Sequence, residues 1–236
     1  MYPNCAATLN GKHTYTDYGL YVTNSSPVGP PEVKTEYINI PGRSGQIDLT
    51  EALTGYTVYS SRKILLELGG KKRSREWTGF MSDFLNSLHG KKVKITFDDD
   101  PNYHYIGRAI VESDYKKGNE IARFTLTINA DPYKYSNQST TESWLWDTFS
   151  FVDGVIRYYN LIRIDGTTQI KVVGSEMPVI PVLEASSAMQ MQFNGNTYDL
   201  SAGENKIYDI VLMNQEYTLT FTGVGTVSIN YKVGRL

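Results

Sequence analysis

The sequence predicts a mainly β protein in two parts, an antiparallel sheet carrying one helix followed by a β-sandwich. Three observations predict it. One stretch near residues 74–88 repeats its apolar side chains at helical spacing. The segments around it alternate apolar with polar residues at period two. Past the polar run Ser136-Asn137-Gln138-Ser139-Thr140-Thr141-Glu142 the helical signals vanish, while short alternating strands continue. The expected domains are therefore residues 1–135 and 143–236, joined by a linker at 136–142.

From Ala6 to Val22 the pattern suggests two short strands joined at Asn10-Gly11, a dipeptide suited to a tight hairpin. Residues Thr23 to Thr35 contain Pro27, Gly29, Pro30 and Pro31 and cannot make a regular ladder, since proline has no backbone donor. They lead into an arm spanning about 24–49. Its tip is Pro41-Gly42-Arg43-Ser44-Gly45, where Pro41 removes a donor and the glycines admit positive φ, so the chain reverses between Ile38/Ile40 and Ile47/Leu49. The resulting hairpin has one apolar face. A two-stranded ribbon is marginal alone in water, so either the parent domain or the next copy of the chain covers that face. Tyr37, Ile38, Ile40, Pro41, Gly42, Arg43, Ile47 and Leu49 are accordingly the candidate subunit-interface residues.

A core strand follows with Ile64, Leu66 and Leu68 on one face. Gly69-Gly70-Lys71-Lys72-Arg73 breaks it, and Ser74 is the expected cap of a helix whose stripe is Trp77, Phe80, Met81, Phe84, Leu85 and Leu88, ending at Gly90. Alternating strands come next at Val93/Ile95/Phe97, from Tyr103/Tyr105 to Ala109/Val111, and at Ala122 to Ala130, with turns at Asp98 to Asn102 and Tyr115 to Asn119. In the second part, strands are expected near Ile170–Val173, Val179–Ala185, Met189–Phe193, Thr197–Leu200, Ile207–Leu212, Tyr217–Thr222 and Val227–Tyr231. Turns are expected at Asn194-Gly195-Asn196 and Ala202-Gly203-Glu204-Asn205. Their even spacing argues a sandwich.

A chain of 236 residues can bury a core without metal or disulfide staples. Cys5 is the only cysteine, which excludes an intrachain disulfide and fits folding in a reducing compartment. The start shows no basic stretch leading into an apolar one, and no apolar run is long enough to cross a bilayer, so a soluble chain without membrane insertion is expected. With 23 basic against 25 acidic residues there is no overall electrostatic footprint for nucleic acid. The 18 tyrosines suit half-buried strand positions and subunit boundaries.

Catalytic and metal chemistry find little support. His13, His89 and His104 stand in no zinc motif. Ser44 lacks the strand-to-helix bend of a nucleophile elbow. Asp98, Asp99 and Asp100 can gather a hard cation or simply cap a turn; the spaced ligands of a calcium loop are missing, which favours the turn. Lys71-Lys72-Arg73-Ser74-Arg75 is the strongest basic cluster. It reads as a solvated loop at a helix start, with contact to passing DNA or to a neighbour's carboxylate as the special readings.

The order of several pieces carries a family resemblance. These are Leu49-Thr50-Glu51-Ala52-Leu53-Thr54-Gly55-Tyr56, Tyr59 and Arg62, Trp77, Leu88-His89-Gly90-Lys91, Phe97-Asp98-Asp99-Asp100-Pro101, Tyr103-His104-Tyr105-Ile106-Gly107-Arg108 and Asp131-Pro132-Tyr133-Lys134-Tyr135. Together with Gly223-Val224-Gly225-Thr226-Val227 and Tyr231-Lys232-Val233-Gly234-Arg235-Leu236, they resemble the distal tail protein (Dit) family of long-tailed bacteriophages of Gram-positive hosts. That resemblance implies a tail-tube-like amino-terminal domain and a galectin-like sandwich. It also implies a homo-oligomeric ring, six copies by family expectation, at the virion tail tip after assembly in the host cytoplasm. The partners implied are the tail tube protein, a tail-associated lysin or fibre hub and receptor-binding proteins, with DNA passing unread through the ring. No catalytic residue, metal or cofactor is implied. Two other classes remain open: a host-sugar adhesin using Trp144, Trp146, Tyr198 or Tyr208, and a cell-wall hydrolase built on an acidic pair.

Overall fold

The computed structural model describes residues 6–25, 27–112, 116–117, 121–142 and 157–236. The chain forms two compact units, residues 1–134 and 135–236.

In the first unit β1 (Ala7–Leu9) and β2 (Lys12–His13) make the expected hairpin, with Asn10 at φ 49° and Gly11 at φ 82°. A third strand, β3 (Leu20–Val22), joins where two were expected in this stretch. After the arm strands β4 (Tyr37–Asn39) and β5 (Gln46–Asp48) come β6 (Arg62–Lys71), α1 (Ser74–Leu88), β7 (Lys92–Phe97), β8 (Tyr103–Val111), β9 (Lys116–Lys117) and β10 (Ile121–Ala130). The main sheet runs β2-β1-β7-β8-β10-β6-β3 with every pairing antiparallel, and β9 adds to β10. Most of the expected turn Tyr115 to Asn119 lies outside the described residues.

Alternation decides which face is inside. Ile64, Leu66 and Leu68 of β6, Val93, Ile95 and Phe97 of β7, and Ala122 to Ala130 at every second position of β10 are all buried. The helix packs on that face: Trp77, Met81, Phe84 and Leu88 are buried at spacings of three and four, and Phe84 meets Phe124 edge-on at 5.3 Å. Each large apolar side chain so buried contributes about 1.5–3 kcal/mol. Phe80 is half-buried and Leu85 lies at the exposed margin of the stripe.

The helix cap differs from the sequence reading. Ser74 is the first helical residue, and Arg73, in extended conformation, occupies the cap position. Glu76, three residues on, folds back to the cap position instead, its Oε2 accepting the Arg73 backbone N–H at 3.2 Å. Gly90, at φ 73°, follows the helix end as expected.

From the unit boundary onward come β11 (Lys134–Ser136), β12 (Ile162–Val173), β13 (Val182–Ala185), β14 (Met189–Phe193), β15 (Asn196–Leu200), β16 (Gly203–Lys206), β17 (Glu216–Asn230) and β18 (Gly234–Arg235), with β11 paired to β18. The sheet order of the second unit is β15-β14-β17-β13-β16, with β12 paired along β17 from Glu216 to Val227. The expected strands Tyr217–Thr222 and Val227–Tyr231 are one strand. Gly223 and Gly225, at φ 156° and 150°, carry the backbone through a conformation open chiefly to glycine, while β17 changes partner from β14 at Thr220–Thr222 to β13 at Val227–Asn230. A side chain at Gly223 would meet Met189 Cβ at 2.7 Å, and one at Gly225 the Ser186 and Ser187 hydroxyls at 2.6 Å.

Ile207–Leu212, expected as a strand, makes one isolated bridge, Val179↔Leu212. The strand lies earlier: Gly203–Lys206, which overlaps the expected turn Ala202–Asn205, pairs with β13 instead. The segment 136–142 lies in this unit, where buried Thr140 donates its hydroxyl to the Ile229 carbonyl at 3.0 Å and accepts the Tyr231 N–H at 3.1 Å.

Candidate subunit interface

The arm leaves the first unit as an extension of its own. Its stem is tied by Lys34 N–H to Val58 O at 2.9 Å and by Ser60 N–H to Glu32 O at 2.8 Å, with one bridge between Val33 and Tyr59. Beyond the stem, β4 and β5 pair with each other alone, as a separate two-stranded sheet in the register Tyr37↔Asp48, Ile38↔Ile47, Asn39↔Gln46. At the tip the Arg43 N–H donates to the Ile40 carbonyl at 3.1 Å. With Pro41 second and Gly42 third at φ 80°, this is a type II turn, which is what that dipeptide encodes.

Period two sorts the ribbon into a polar face with Tyr37, Asn39, Gln46 and Asp48, and an apolar face with Ile38, Ile40, Ile47 and Leu49. The apolar face is incompletely covered: Ile38 is 45% and Ile40 43% exposed, while Ile47 and Leu49 are half-buried. Leu53, in the turn that follows, is 99% exposed, an apolar side chain the strand pattern gave no reason to single out. On the polar face the Thr50 hydroxyl and backbone N–H hold Asp48 below the usual carboxylate range, the N–H lying 2.9 Å from Oδ1. At the root Tyr59 meets Tyr133 edge-on at 5.9 Å, and burial, then Tyr59 and Tyr56, push the Tyr133 phenol up.

The remaining sequence candidates are dispersed. His13 Nδ1 accepts N–H groups from Tyr15 and Thr16, which leaves Nε2–H to donate to Asp98 at 3.0 Å. Asp100 turns elsewhere, accepting Lys134 Nζ at 2.7 Å. Among the described residues no three His, Cys, Asp or Glu side chains are gathered in a way that would hold a metal ion. His89 Nδ1 accepts the Val111 N–H at 3.0 Å, and His104 is buried. Ser44 sits exposed in the arm tip. In the basic cluster, Lys72 Nζ lies 4.6 Å from the centre of the Phe80 ring. Trp144 and Trp146 lie outside the described residues; Tyr198 packs on the second core, and Tyr208 is exposed beneath Lys206 Nζ at 5.3 Å.

One family model, the phage tail protein RIFT-related domain, matches residues 13–130, from the first hairpin through β10 and including the whole arm. The chain belongs to this phage tail protein family. No curated protein matches the sequence. Among solved structures this tail protein is similar to the distal tail protein of phage SPP1, Dit (gp 19.1), which is described as a paradigm of the hub adsorption apparatus in phages infecting Gram-positive bacteria. The TM-score is 0.59 at 15% identity, over 98% of this chain and 99% of that one. The two share a fold from end to end, mainly β in this chain with one helix among the described residues, and the family places this chain among the structural components of a phage tail. Among the described residues no helix is long and apolar enough to cross a membrane.

Proposed function

We propose that the chain is a distal tail protein, a non-enzymatic hub that closes into a ring at the tail tip. The ring joins the tail tube to the adsorption apparatus and leaves a passage for the genome. The observation that carries this reading is the self-paired arm ribbon, whose apolar face exposes Ile38 and Ile40. Seating that face on the next copy removes apolar surface from water and repeats the same contact head to tail, which closes a ring when the rotation between copies closes. Tyr37, Ile38, Ile40, Pro41, Gly42, Arg43, Ile47 and Leu49 are the interface residues of this scheme, and six copies is the number the family resemblance suggests.

The first unit supplies the ring, and the second, a strand-rich unit with a core of its own, offers attachment surface to baseplate partners such as the fibre hub, lysin and receptor-binding proteins. DNA crosses without sequence recognition, in keeping with the chain's nearly balanced charge. Electron microscopy of the purified chain tests the reading: single closed rings that cap one end of isolated tail tubes support a hub. Rings that stack into tubes make the chain a tube subunit, and particles without a central opening refute the conduit.

A further inference from the structure

The outward face of the main sheet carries the exposed Leu65 and Ile110, with the buried Thr127 between them, as one row between two charged rows. Across β6, β10 and β8 the register places Leu65 beside Thr127 and Thr127 beside Ile110, on the face opposite the buried Ile64, Leu66 and Leu68. Leu65 is 45% and Ile110 41% exposed. One pleat away lies the row Lys63, Asn129, Arg108, Lys92, which sets two cations directly opposite each other at Arg108↔Lys92. Like charges in that position repel. None of the three cations has an ion-pair partner among the described residues; Arg108 donates to the Gly90 carbonyl. On the other side of the Leu65–Ile110 row stand Glu67, beside Thr125, and Glu112, whose N–H donates to the Thr125 carbonyl at 2.9 Å.

The arm carries the complementary sequence of charges. Glu36 precedes Ile38 and Ile40 at the same parity, Glu51 follows Leu49 in the next turn, and neither has an ion-pair partner among the described residues. Arg43 stands at the tip. From Glu36 to Ile38 the ribbon advances roughly 7 Å, the same step that separates Lys63 from Leu65 on the sheet.

From this match we infer that the receiving surface for the arm is the outward sheet face of a second copy. Ile38 and Ile47 seat on Leu65 and Ile110, Ile40 lies one row further on beside Thr125, the acidic root lies on the Lys63–Arg108–Lys92 row, and Arg43 at the tip reaches the side of Glu67 and Glu112. The inference rests on the proposed arm-to-neighbour ring and names the surface that ring uses. Covering the cationic row with carboxylates relieves a repulsion that the described residues leave unanswered.

Charge exchange between two full-length chains tests it. The sheet-reversed chain K63E/R108E and the arm-reversed chain E36K/E51K should each raise the dissociation constant for assembly at least tenfold, read by native mass spectrometry with circular dichroism as the check on folding. Mixed in equal amounts, they should restore closed oligomers with an even number of subunits, alternating between the two, because each reversed arm then meets a reversed sheet. In a second measurement that disturbs no charge, the chain C5S/I38C/I110C should form disulfide-linked multimers on mild oxidation. Variants that assemble as the parent does, a mixture that restores nothing, or an assembled cysteine chain that fails to cross-link would overturn the docking face. Loss of assembly on deleting the arm would still stand in those cases, so the failure would fall on the face and not on the arm. A parent chain that stays monomeric at millimolar concentration removes both readings.

Discussion

Truncating the two exposed isoleucines of the arm, I38A/I40A, separates assembly from folding. Fully burying an isoleucine side chain contributes about 1.5–3 kcal/mol. With 45% and 43% of Ile38 and Ile40 still exposed in the single chain, a neighbour that covers them gains about 2 kcal/mol from the pair. At tenfold per 1.4 kcal/mol, the double substitution weakens each arm contact about 30-fold. The loss inside the single chain falls on the ribbon, which pairs only with itself, so the two cores should melt where the parent's do. Sedimentation velocity over a concentration series reads the first effect and thermal circular dichroism the second. Unchanged assembly at matched concentrations, with the fold intact, would show that these side chains never meet a neighbour and would refute the reasoning. A large drop in melting temperature would show instead that the arm belongs to the core.

Trp77→Ala should destabilise the first unit by about 3–5 kcal/mol, because it empties the largest fully buried site at the start of the helix stripe; denaturant unfolding followed in that unit measures it. Gly223→Val should damage the second unit, since a branched side chain meets Met189 and strains a backbone at φ 156°; loss of the cooperative melt of that unit is the readout. The Tyr231 phenol, whose hydroxyl donates to the Val173 carbonyl, is pushed well up by burial and then by Tyr159. A folded-state pKa above the unfolded value, about 10, means that this contribution to stability is complete below pH 10 and is lost as the pH rises through the folded value. Tyr231→Phe should therefore flatten the alkaline limb of the stability profile while losing about 1 kcal/mol at neutral pH with the hydrogen bond.

Local chemistry made much of this fold legible. Asn10-Gly11, Asn194-Gly195 and Pro41-Gly42 each encode their turn in two residues, and Trp77, Met81, Phe84 and Leu88 mark one face of a helix without reference to anything distant. What was hidden depends on partners far along the chain. Gly223 and Gly225 read as a break, yet β12 supports that stretch from residues 162–173 and keeps it extended. Gly203-Glu204-Asn205 reads as part of a turn and becomes a strand because β13 lies beside it. The candidate interface divides the same way: the ribbon and its apolar face follow from alternation, whereas Leu53 had no periodic signal. Nor does any single strand reveal that Lys63, Arg108 and Lys92 share a row, since that follows only from the register of β6, β10, β8 and β7.

In the proposed ring the arm's apolar face is covered by another copy of the chain, and this contact closes the circle. Native mass spectrometry of the full chain beside a version lacking residues 36–49 tests it most directly. The full chain should form one closed oligomer of fixed number, and the deletion should give folded monomers. A full chain that remains monomeric at every concentration, or a deletion that assembles equally well, would contradict it.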